Sequence, residues 1–447
     1  MVDDVRAYIF TFNCGRDYID VDAFASQFFD GLSRRIIPDL IVICLQEIGP
    51  VGASLIGGSH LVPYFSKIHS AVQKAAHDQF PEDEPEQDLY KLMVAKNAGM
   101  IGIMVFARDE DTVENLETGG VGFGKANMGD KAAVGARFTY SSGKDSTELT
   151  FVSAHLAAGE IALARRNEDW KSIVRRLVFS SMADGGPDTA LSGSGEEEVL
   201  LSISPQDGSI FKSTSHLFVA GDFNYRTSIL SPAPNDHIEV FPQPHHDKSS
   251  PQHYTSLFEN DQLNQERAAG RTMHGLIEAQ VTFPPTYKYE IKEPFLMPDE
   301  DLVKWHWATH RWPSWCDRIL YLPIPSWVKH EHPDAHIRTY RYAALPQQPT
   351  TDHRAVTLEV EVPLIPILQP TSNDVARLVK DRDNDPRINP PWTIDMDWKR
   401  KQVTARRLEL VSGYTTYFTT TGEGVVLLLA LIGGAIATVF ALRAMLW

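Results

Sequence analysis

Cysteine is scarce in this chain, with three residues among 447. Three scattered thiols cannot form a disulfide framework, so we expect packed cysteines and a reducing compartment. Positive charge is also in deficit, because 42 lysines and arginines face 58 acidic residues and leave a formal net charge of -16. That balance argues against a protein that binds nucleic acid through a broad basic surface. A phosphate ligand would therefore need a local basic pocket.

The amino-terminal sequence has no basic segment followed by an apolar stretch, so we expect no cleavable secretory signal. Eight short apolar runs cover residues 6–12, 40–45, 101–107, 132–138, 149–154, 217–220, 318–322 and 355–362. Several are continuous, which is typical of strands that are covered on both faces. Residues 21–32 and 170–178 carry apolar side chains at helical spacing. These patterns predict an α/β domain with sheets inside and helices outside.

The carboxyl-terminal part differs in composition from the rest. A segment rich in proline, asparagine and aspartate is followed by an 18-residue run without charge, residues 425–442. At about 1.5 Å per residue this run covers roughly 27 Å, close to the thickness of the endoplasmic reticulum bilayer. The alternative is a buried core helix. The predicted divisions are a catalytic domain over 1–365, a tether over 366–423 and a transmembrane anchor over 424–447.

Basic residues are concentrated upstream of the apolar run. Five of them outnumber the single Arg443 beyond it, and they are Lys399, Arg400, Lys401, Arg406 and Arg407. By the positive-inside rule, we expect the large domain to be cytosolic. The length of the run favours a tail anchor in the endoplasmic reticulum membrane. Two further segments, 81–88 and 183–206, have the composition of loops.

Four polar blocks, each beside an apolar run, are the strongest signal of chemistry. They are Leu-Gln-Glu at 45–47, Gly-Asp-Phe-Asn at 221–224, Trp-Cys-Asp-Arg at 315–318 and Thr-Asp-His-Arg at 351–354. Glu47 emerges from a buried strand, where its carboxylate could bind Mg²⁺ beside the amide oxygen of Asn13. Asp222 and Asn224 are two apart, so an extended backbone would place both on one side and hold a water between them. Asp222 would be the general base or the orienting acceptor for that water.

Histidine supplies the second part of the predicted site. His155 ends a strand before small residues and could donate to a phosphate oxygen. Asp317 is assigned the support of His353, because a carboxylate that binds one imidazole nitrogen aims the other at a phosphate. Asp352 would help to hold water or metal. Any one of these residues alone could be an ordinary buried or surface group.

Together these blocks resemble the inositol polyphosphate 5-phosphatases, which share a broad fold group with DNase I. Two further motifs carry the resemblance, Pro-Thr-Tyr-Lys-Tyr at 285–289 and Pro-Ser-Trp-Cys-Asp-Arg-Ile-Leu at 313–320. The resemblance covers residues 6–362 and implies a four-layer α+β sandwich of two packed mixed sheets flanked by helices. It also implies Mg²⁺ as cofactor and a phosphoinositide, not nucleic acid, as substrate.

The resemblance also assigns substrate contacts. Tyr287, Lys288 and Arg311 would meet the phosphate next to the one removed, since two cations beside a hydroxyl make a charge-assisted clamp. The other implied contacts are Asn13, Lys131 and Arg318. The sequence departs from the family at Ala132, where glycine is usual, and at Ala154, where a hydroxyl is more common.

The opening motif 11–15 and the apolar run resemble the fungal tail-anchored members, which act on phosphatidylinositol 4,5-bisphosphate. We therefore predict hydrolysis of its 5-phosphate to give phosphatidylinositol 4-phosphate. Water placed by Asp222 and Asn224 would attack phosphorus in line, while His353 and His155 stabilise the developing charge. Two alternatives stay open. One is a phosphodiesterase of the same fold, either an abasic-site endonuclease or a sphingomyelinase-like enzyme, and the other is a non-catalytic, membrane-tethered lipid-binding module.

Overall fold

The computed structural model of the protein describes most of the chain. The described residues are 4–34, 36–81, 88–181, 207–291 and 304–445. The predicted loop 183–206 lies outside them, as does most of the predicted loop 81–88. The three cysteines lie inside them and are buried free thiols, as predicted.

The first sheet is mixed and buried at its centre. Its six described strands are β1 (Asp4–Asn13), β2 (Leu40–Gln46), β3 (Lys91–Ala98), β4 (Ile101–Ala107), β12 (Arg338–Ala344) and β13 (Val356–Pro363). Their spatial order is β12-β13-β1-β2-β4-β3. β1 pairs in parallel with β2 and antiparallel with β13. Every residue of β2 and β4 is buried, because both faces of these apolar strands are covered.

The second sheet is also mixed. Its seven described strands are β5 (Val113–Gly122), β6 (Ala132–Ser142), β7 (Asp145–His155), β8 (Ser180–Ser181), β9 (Ser215–Asp222), β10 (Ile277–Glu278) and β11 (Asp317–Tyr321). Their spatial order is β10-β11-β9-β7-β6-β5-β8. β7 and β9 run in parallel, and β9 and β11 run antiparallel. The central strand β9 is buried along its whole length.

Helices cover the sheets and continue beyond them. The described α-helices are α1 (Val21–Gln27), α2 (Val51–Ile56), α3 (Val62–Gln79), α4 (Leu163–Arg176), α5 (Asp236–Glu239), α6 (Tyr254–Phe258), α7 (Gln262–Ala268), α8 (Ser326–Glu331), α9 (Ser372–Asp381), α10 (Trp398–Thr420) and α11 (Gly422–Met445). Short 3-10 helices lie at Phe28–Gly31, Gly58–His60, Glu110–Thr112, Lys125–Asn127 and Glu160–Ala162. The helix predicted at 21–32 is α1 with the 3-10 turn that follows it.

Three apolar clusters define the layers. Side chains of both sheets, including Val42 of β2 and Phe151 of β7, form one cluster between the sheets. A second cluster joins the outer face of the first sheet to α1 and α3, and a third joins the second sheet to α4 through Trp170. The order of layers is therefore helix, sheet, sheet, helix, and the predicted four-layer sandwich is confirmed.

The strand ends that carry the polar blocks meet at one edge of the sandwich. His155 pairs with Asp222 in the β7–β9 register, and Asp222 pairs with Asp317 in the β9–β11 register. Asn13 pairs with Gln46 at the ends of β1 and β2. The fold thus brings together residues that are hundreds of positions apart in sequence.

The predicted tether 366–423 contains two helices. α9 begins with a capping box at Thr371, and α10 packs against α2. α11 follows and, among the described residues, is the one helix long and apolar enough to cross a membrane, with a hydropathy of 2.7 and none of its span buried. The divisions at 365 and 423 stay predictions.

Candidate active site

Asp222 lies at the centre of the site. Its Oδ2 accepts hydrogen bonds from Asn13 Nδ2 and His155 Nε2, each at 3.1 Å, and its Oδ1 accepts one from the Asn224 backbone N–H at 3.1 Å. Burial opposes the charged form, but His155 and His353 outweigh it and hold the pKa of Asp222 well below its usual range. Asp222 is therefore a buried carboxylate that stays ionised.

A second carboxylate orients His353. Asp317 Oδ2 lies 2.8 Å from His353 Nδ1 and accepts the Thr286 hydroxyl at 2.7 Å. Burial raises the pKa of Asp317 to about 6. Burial also disfavours the charged form of His353, but the negative charges of Asp317 and Asp222 outweigh this effect and raise the pKa of His353 to about 9. At neutral pH the pair is therefore ionic. His353 Nε2 lies 3.8 Å from the nearest oxygens of Asp222 and Asp352, too far for a hydrogen bond.

The turn after β9 differs from the prediction. Asn224 has φ +58°, so the backbone is left-handed there and not extended. Its Nδ2 donates to the Leu156 carbonyl at 3.1 Å, and its Oδ1 accepts from Arg226. Asn224 therefore holds Asp222 through its own backbone N–H and does not face it across a shared water. Just before this turn, Gly221 permits the close pairing of β9 with β7, because a Cβ there would meet the Ala154 carbonyl oxygen at 1.9 Å.

Glu47 and Lys131 lie at the border of the site. Arg16 donates to both Glu47 oxygens, at 2.7 and 3.2 Å. Burial alone would raise the pKa of Glu47, but the bonds from Arg16 lower it. Lys131 Nζ lies 2.6 Å from His155 Nε2, and burial lowers the pKa of this lysine. Glu47 also interacts electrostatically with His155 and Lys131, so all four residues belong to one charged network.

The motif 285–289 is joined to the motif 351–354 by backbone pairing. Tyr287 forms isolated β-bridges to His353 and to Ser314, and its ring centroid lies 4.6 Å from that of His353. Lys288 forms an ion pair with Asp352 and lies 5.2 Å from the Tyr287 ring centroid. Asp352 is therefore the partner of a lysine here, whereas we predicted that it would hold water or metal.

The two predicted arginine contacts have different environments. Arg311 is one-third exposed and its Nε lies 3.3 Å from Glu160 Oε1. Arg318 is fully buried, with Nε 2.6 Å from Glu278 Oε1 and Nη1 3.1 Å from Asp261 Oδ1. Arg318 cannot reach a substrate, so its predicted substrate contact is wrong. Its guanidinium instead neutralises two buried carboxylates. Asp317 and Arg318 are consecutive residues of β11, so their side chains point to opposite faces of the sheet. One face contributes Asp317 to the site, and the other places Arg318 in the core.

Comparison with known proteins shows the family of the chain. A family model described as Endonuclease/Exonuclease/phosphatase family 2 matches residues 10–359. The chain belongs to the endonuclease/exonuclease/phosphatase family. Within this family, a type II inositol polyphosphate 5-phosphatase 14 of Arabidopsis thaliana is 30% identical over 71% of this chain and 27% of its own length. A phosphatidylinositol 3,4,5-trisphosphate 5-phosphatase 1 of Xenopus laevis is 30% identical over 60% of this chain and 22% of its own.

A solved structure shows the same fold. The inositol polyphosphate 5-phosphatase domain of SPsynaptojanin, in complex with inositol (1,4)-bisphosphate and a calcium ion, matches with a TM-score of 0.57 and 20% identity, over 92% of this chain and 93% of that one. The predicted resemblance to 5-phosphatases is thus confirmed at the level of family and fold. The chain spans about a quarter of the length of the curated relatives it matches.

Sequence reasoning missed several residues of this family member's site. Arg226, two positions after Asn224, is buried and lies with its guanidinium carbon 4.3 Å from the Tyr287 ring centroid. Its position inside the 221–226 block was an available signal. Asp169 accepts the Ala157 N–H at 2.9 Å, and Arg166 donates to the Ala157 carbonyl at 3.1 Å. These charged residues are buried on helix α4 and fix the loop after His155.

Proposed function

We propose that this protein is a divalent-metal-dependent phosphoinositide 5-phosphatase that converts phosphatidylinositol 4,5-bisphosphate to phosphatidylinositol 4-phosphate. The observation that carries the proposal is the ionised Asp222 beside an imidazolium whose Nε2–H is free of a hydrogen bond among the described residues. An acceptor for water and a donor for a phosphoryl oxygen then lie side by side. That is the arrangement that hydrolysis of a phosphate monoester needs.

Asp222 acts as an orienting acceptor for the attacking water. Its low pKa makes the carboxylate a weak base but a strong hydrogen-bond acceptor, and among the described contacts its Oδ1 accepts a single bond, from Asn224. His353 donates from Nε2 to a phosphoryl oxygen and stabilises the charge that develops there. Asp317 holds the imidazole in place and keeps it charged.

The donor set is suited to a hard cation such as Mg²⁺. Glu47 supplies a carboxylate with 20% of its side chain exposed at the border of the site, and carboxylate oxygen is the ligand that Mg²⁺ prefers. Asn13 suits this role less well, because its Oδ1 accepts the Gly15 N–H and its Nδ2 faces Asp222. Asp222, Asp317 and His353 also come within 4.8 Å of one another, but a protonated imidazole is not a metal ligand. When bound, the cation would neutralise phosphate charge and polarise the phosphoryl group.

Basic side chains beside this centre support the proposed substrate. Lys288, Tyr287 and Arg311 supply two cations and a hydroxyl for a second phosphate next to the scissile one. The relatives carry names that refer to inositol polyphosphates and to phosphatidylinositol 3,4,5-trisphosphate. A phosphoinositide with vicinal phosphates fits both these groups and these names.

The candidate span α11 supports a membrane location for such an enzyme. Its 24 residues exceed the length needed for about 30 Å of hydrocarbon. We propose the endoplasmic reticulum membrane, with the domain over 1–365 in the cytosol, the segment 366–423 between them and the span over 424–447. The basic residues upstream of the span favour this orientation.

Release of inorganic phosphate from a panel of phosphoinositides tests the proposal. The full chain in detergent micelles is expected to release phosphate from phosphatidylinositol 4,5-bisphosphate with Mg²⁺, and to stop when a chelator is added. Abasic DNA and sphingomyelin form the second arm of the panel. Cleavage of either diester without phosphate release from the lipid would contradict the proposal and favour a phosphodiesterase, whereas no cleavage at all would favour a lipid-binding module.

A further inference from the structure

Helix α10 lies outside the residues matched by the family model, yet it packs tightly on the domain. Its buried residues are Ala405, Glu409 and Gly413, four positions apart and therefore on one face. A Cβ at Gly413 would lie 2.9 Å from Ile56 Cγ1, and one at Gly52 would lie 3.0 Å from the Tyr417 backbone nitrogen. Two glycines thus let α10 cross α2 at backbone contact.

Polar contacts fix the position of α10 on the domain. Arg406 donates to the carbonyls of Leu55 and Ile56 at 2.7 and 2.8 Å, at the end of α2. Gln402 donates to the Gly120 carbonyl of β5 at 3.1 Å. Since α2 begins four residues after Glu47, the two Arg406 contacts brace the segment that leads away from the predicted metal ligand, whereas the Gln402 contact lies on β5.

Glu409 makes the contact nearest to the site. Its carboxylate is buried, and Oε1 accepts the Gly129 backbone N–H at 2.8 Å. The Gly129 carbonyl in turn accepts the Met100 N–H at 2.9 Å. One residue is therefore held on both sides, by α10 through its nitrogen and by the turn between β3 and β4 through its oxygen. Two positions later comes Lys131, whose Nζ lies 2.6 Å from His155 Nε2.

We propose that Glu409 is a positioning residue of the active site, which sets the reach of Lys131 toward His155 and a bound phosphate by anchoring Gly129. This inference rests on the proposed function. A buried carboxylate is costly unless its hydrogen bonds are made, so the contact defines one position for the loop. Burial raises the pKa of Glu409, which agrees with a carboxylate removed from water.

The same helix continues toward the candidate membrane span. α11 begins at Gly422, two residues after α10 ends at Thr420. Arg406 and Glu409 hold α10 to the domain, and Thr421, with an extended backbone, separates α10 from the span. The site and the candidate anchor are thus joined by a single docked helix, and a loose tether would not give this connection.

Three single variants of the full chain separate positioning from packing. Glu409→Ala removes the acceptor for Gly129, Glu409→Gln keeps one, and Gln402→Ala removes a contact of the same helix that does not reach the site. On dioctanoyl phosphatidylinositol 4,5-bisphosphate, we expect Glu409→Ala to lower kcat/KM about tenfold and the other two to stay within about twofold. Thermal melting of each variant verifies that it is folded.

A double-variant cycle with Lys131→Ala gives the decisive comparison. If Glu409 acts through Lys131, Glu409→Ala lowers kcat/KM about tenfold in the wild-type background and less than about twofold in the Lys131→Ala background. An equal loss in both backgrounds would overturn the proposal and leave Glu409 a stabilising contact only. No loss in either background would overturn it as well.

Hydrogen exchange supplies a readout that does not depend on activity. Glu409→Ala is expected to accelerate amide exchange in the peptide that contains Gly129 and Lys131, and Gln402→Ala to leave it unchanged. Slow exchange in Glu409→Ala would contradict the positioning role even in an active enzyme. A wild-type protein that releases no phosphate would instead refute the proposed function, while the exchange result would still report on the contact.

Discussion

The polar groups of the site fall into two sets that differ in burial. The inner cluster consists of Asn13, His155, Asp222, Asp317 and His353. The two aspartates and two histidines form its ion pairs, and at most 5% of each of these four side chains is exposed. The outer pairs are Arg16–Glu47, Lys288–Asp352 and Arg311–Glu160, in which 12 to 53% of each side chain is exposed.

This difference separates two tasks. The members of the inner cluster hold one another in fixed protonation states, so they are preorganised before substrate arrives. The outer pairs lie nearer water, and a phosphate can replace the acidic member of the Lys288 and Arg311 pairs more readily than any member of the inner cluster. The inner cluster is therefore suited to chemistry, Glu47 to cation binding, and the Lys288 and Arg311 pairs to recognition.

The largest expected effect is loss of charge in the inner cluster. Asp222→Asn replaces a carboxylate by a neutral amide, which weakens the acceptor for water and removes the anion that supports two imidazoles, so kcat should fall at least about a thousandfold. Steady-state phosphate release measures this. Asp145→Asn, at the exposed hairpin between β6 and β7, is the matched control and should keep wild-type turnover. Retention of turnover by Asp222→Asn would place the chemistry elsewhere.

Substitution of Arg318 and of Arg311 should change the free energy of unfolding by different amounts, because Arg318 is fully buried and Arg311 is one-third exposed. Arg318→Met leaves Asp261 without its cation and Glu278 with Arg267 alone, at 3.4 Å, and should lower the free energy of unfolding by about 3–5 kcal/mol. Arg311→Met, at a partly exposed pair, should change it by less than about 0.5 kcal/mol. Urea denaturation measures both. Equal midpoints for the two variants would show that burial does not decide the role of these arginines.

The pH profile of kcat reports on His353. If the imidazolium donates to phosphate, activity persists below the pKa of His353, about 9, and is lost as pH rises through it. Asp317→Asn removes a negative charge that raises this pKa, so the alkaline limb should move to lower pH and kcat at pH 8 should fall about tenfold to a hundredfold. An unmoved limb would exclude His353 as the titrating group.

The outer pairs should show a smaller effect that is confined to binding. Lys288→Met should raise KM for phosphatidylinositol 4,5-bisphosphate about tenfold with little change in kcat. On phosphatidylinositol 5-phosphate, which lacks the second phosphate, the same variant should match the wild type. Lys171→Met, on the exposed side of α4, is the control. A fall in kcat on both substrates would assign Lys288 to the inner cluster.

Much of this organisation could be predicted from sequence because the signals are local. Continuous apolar runs predicted the buried strands, and polar residues at their ends predicted that Asp222, Asp317 and His353 would meet. Registers such as His155 opposite Asp222 then follow from strand pairing.

The features that sequence reasoning did not reveal have a common physical cause, which is pairing between distant residues. Arg318 is buried because Glu278 and Asp261, 40 and 57 positions away, neutralise it. The helix in the predicted tether docks because Glu409 meets Gly129, 280 positions away. The left-handed turn at Asn224 depends on contacts with Leu156 and Arg226. Neither composition nor hydrophobic periodicity carries such information.

Identification of the products from phosphatidylinositol 4,5-bisphosphate tests the central claim most directly. If the inner cluster hydrolyses a phosphate monoester at the 5-position, the wild-type protein yields phosphatidylinositol 4-phosphate and one equivalent of inorganic phosphate, and Asp222→Asn yields neither. Formation of phosphatidylinositol 5-phosphate, or of diacylglycerol and a soluble inositol phosphate, would contradict the account.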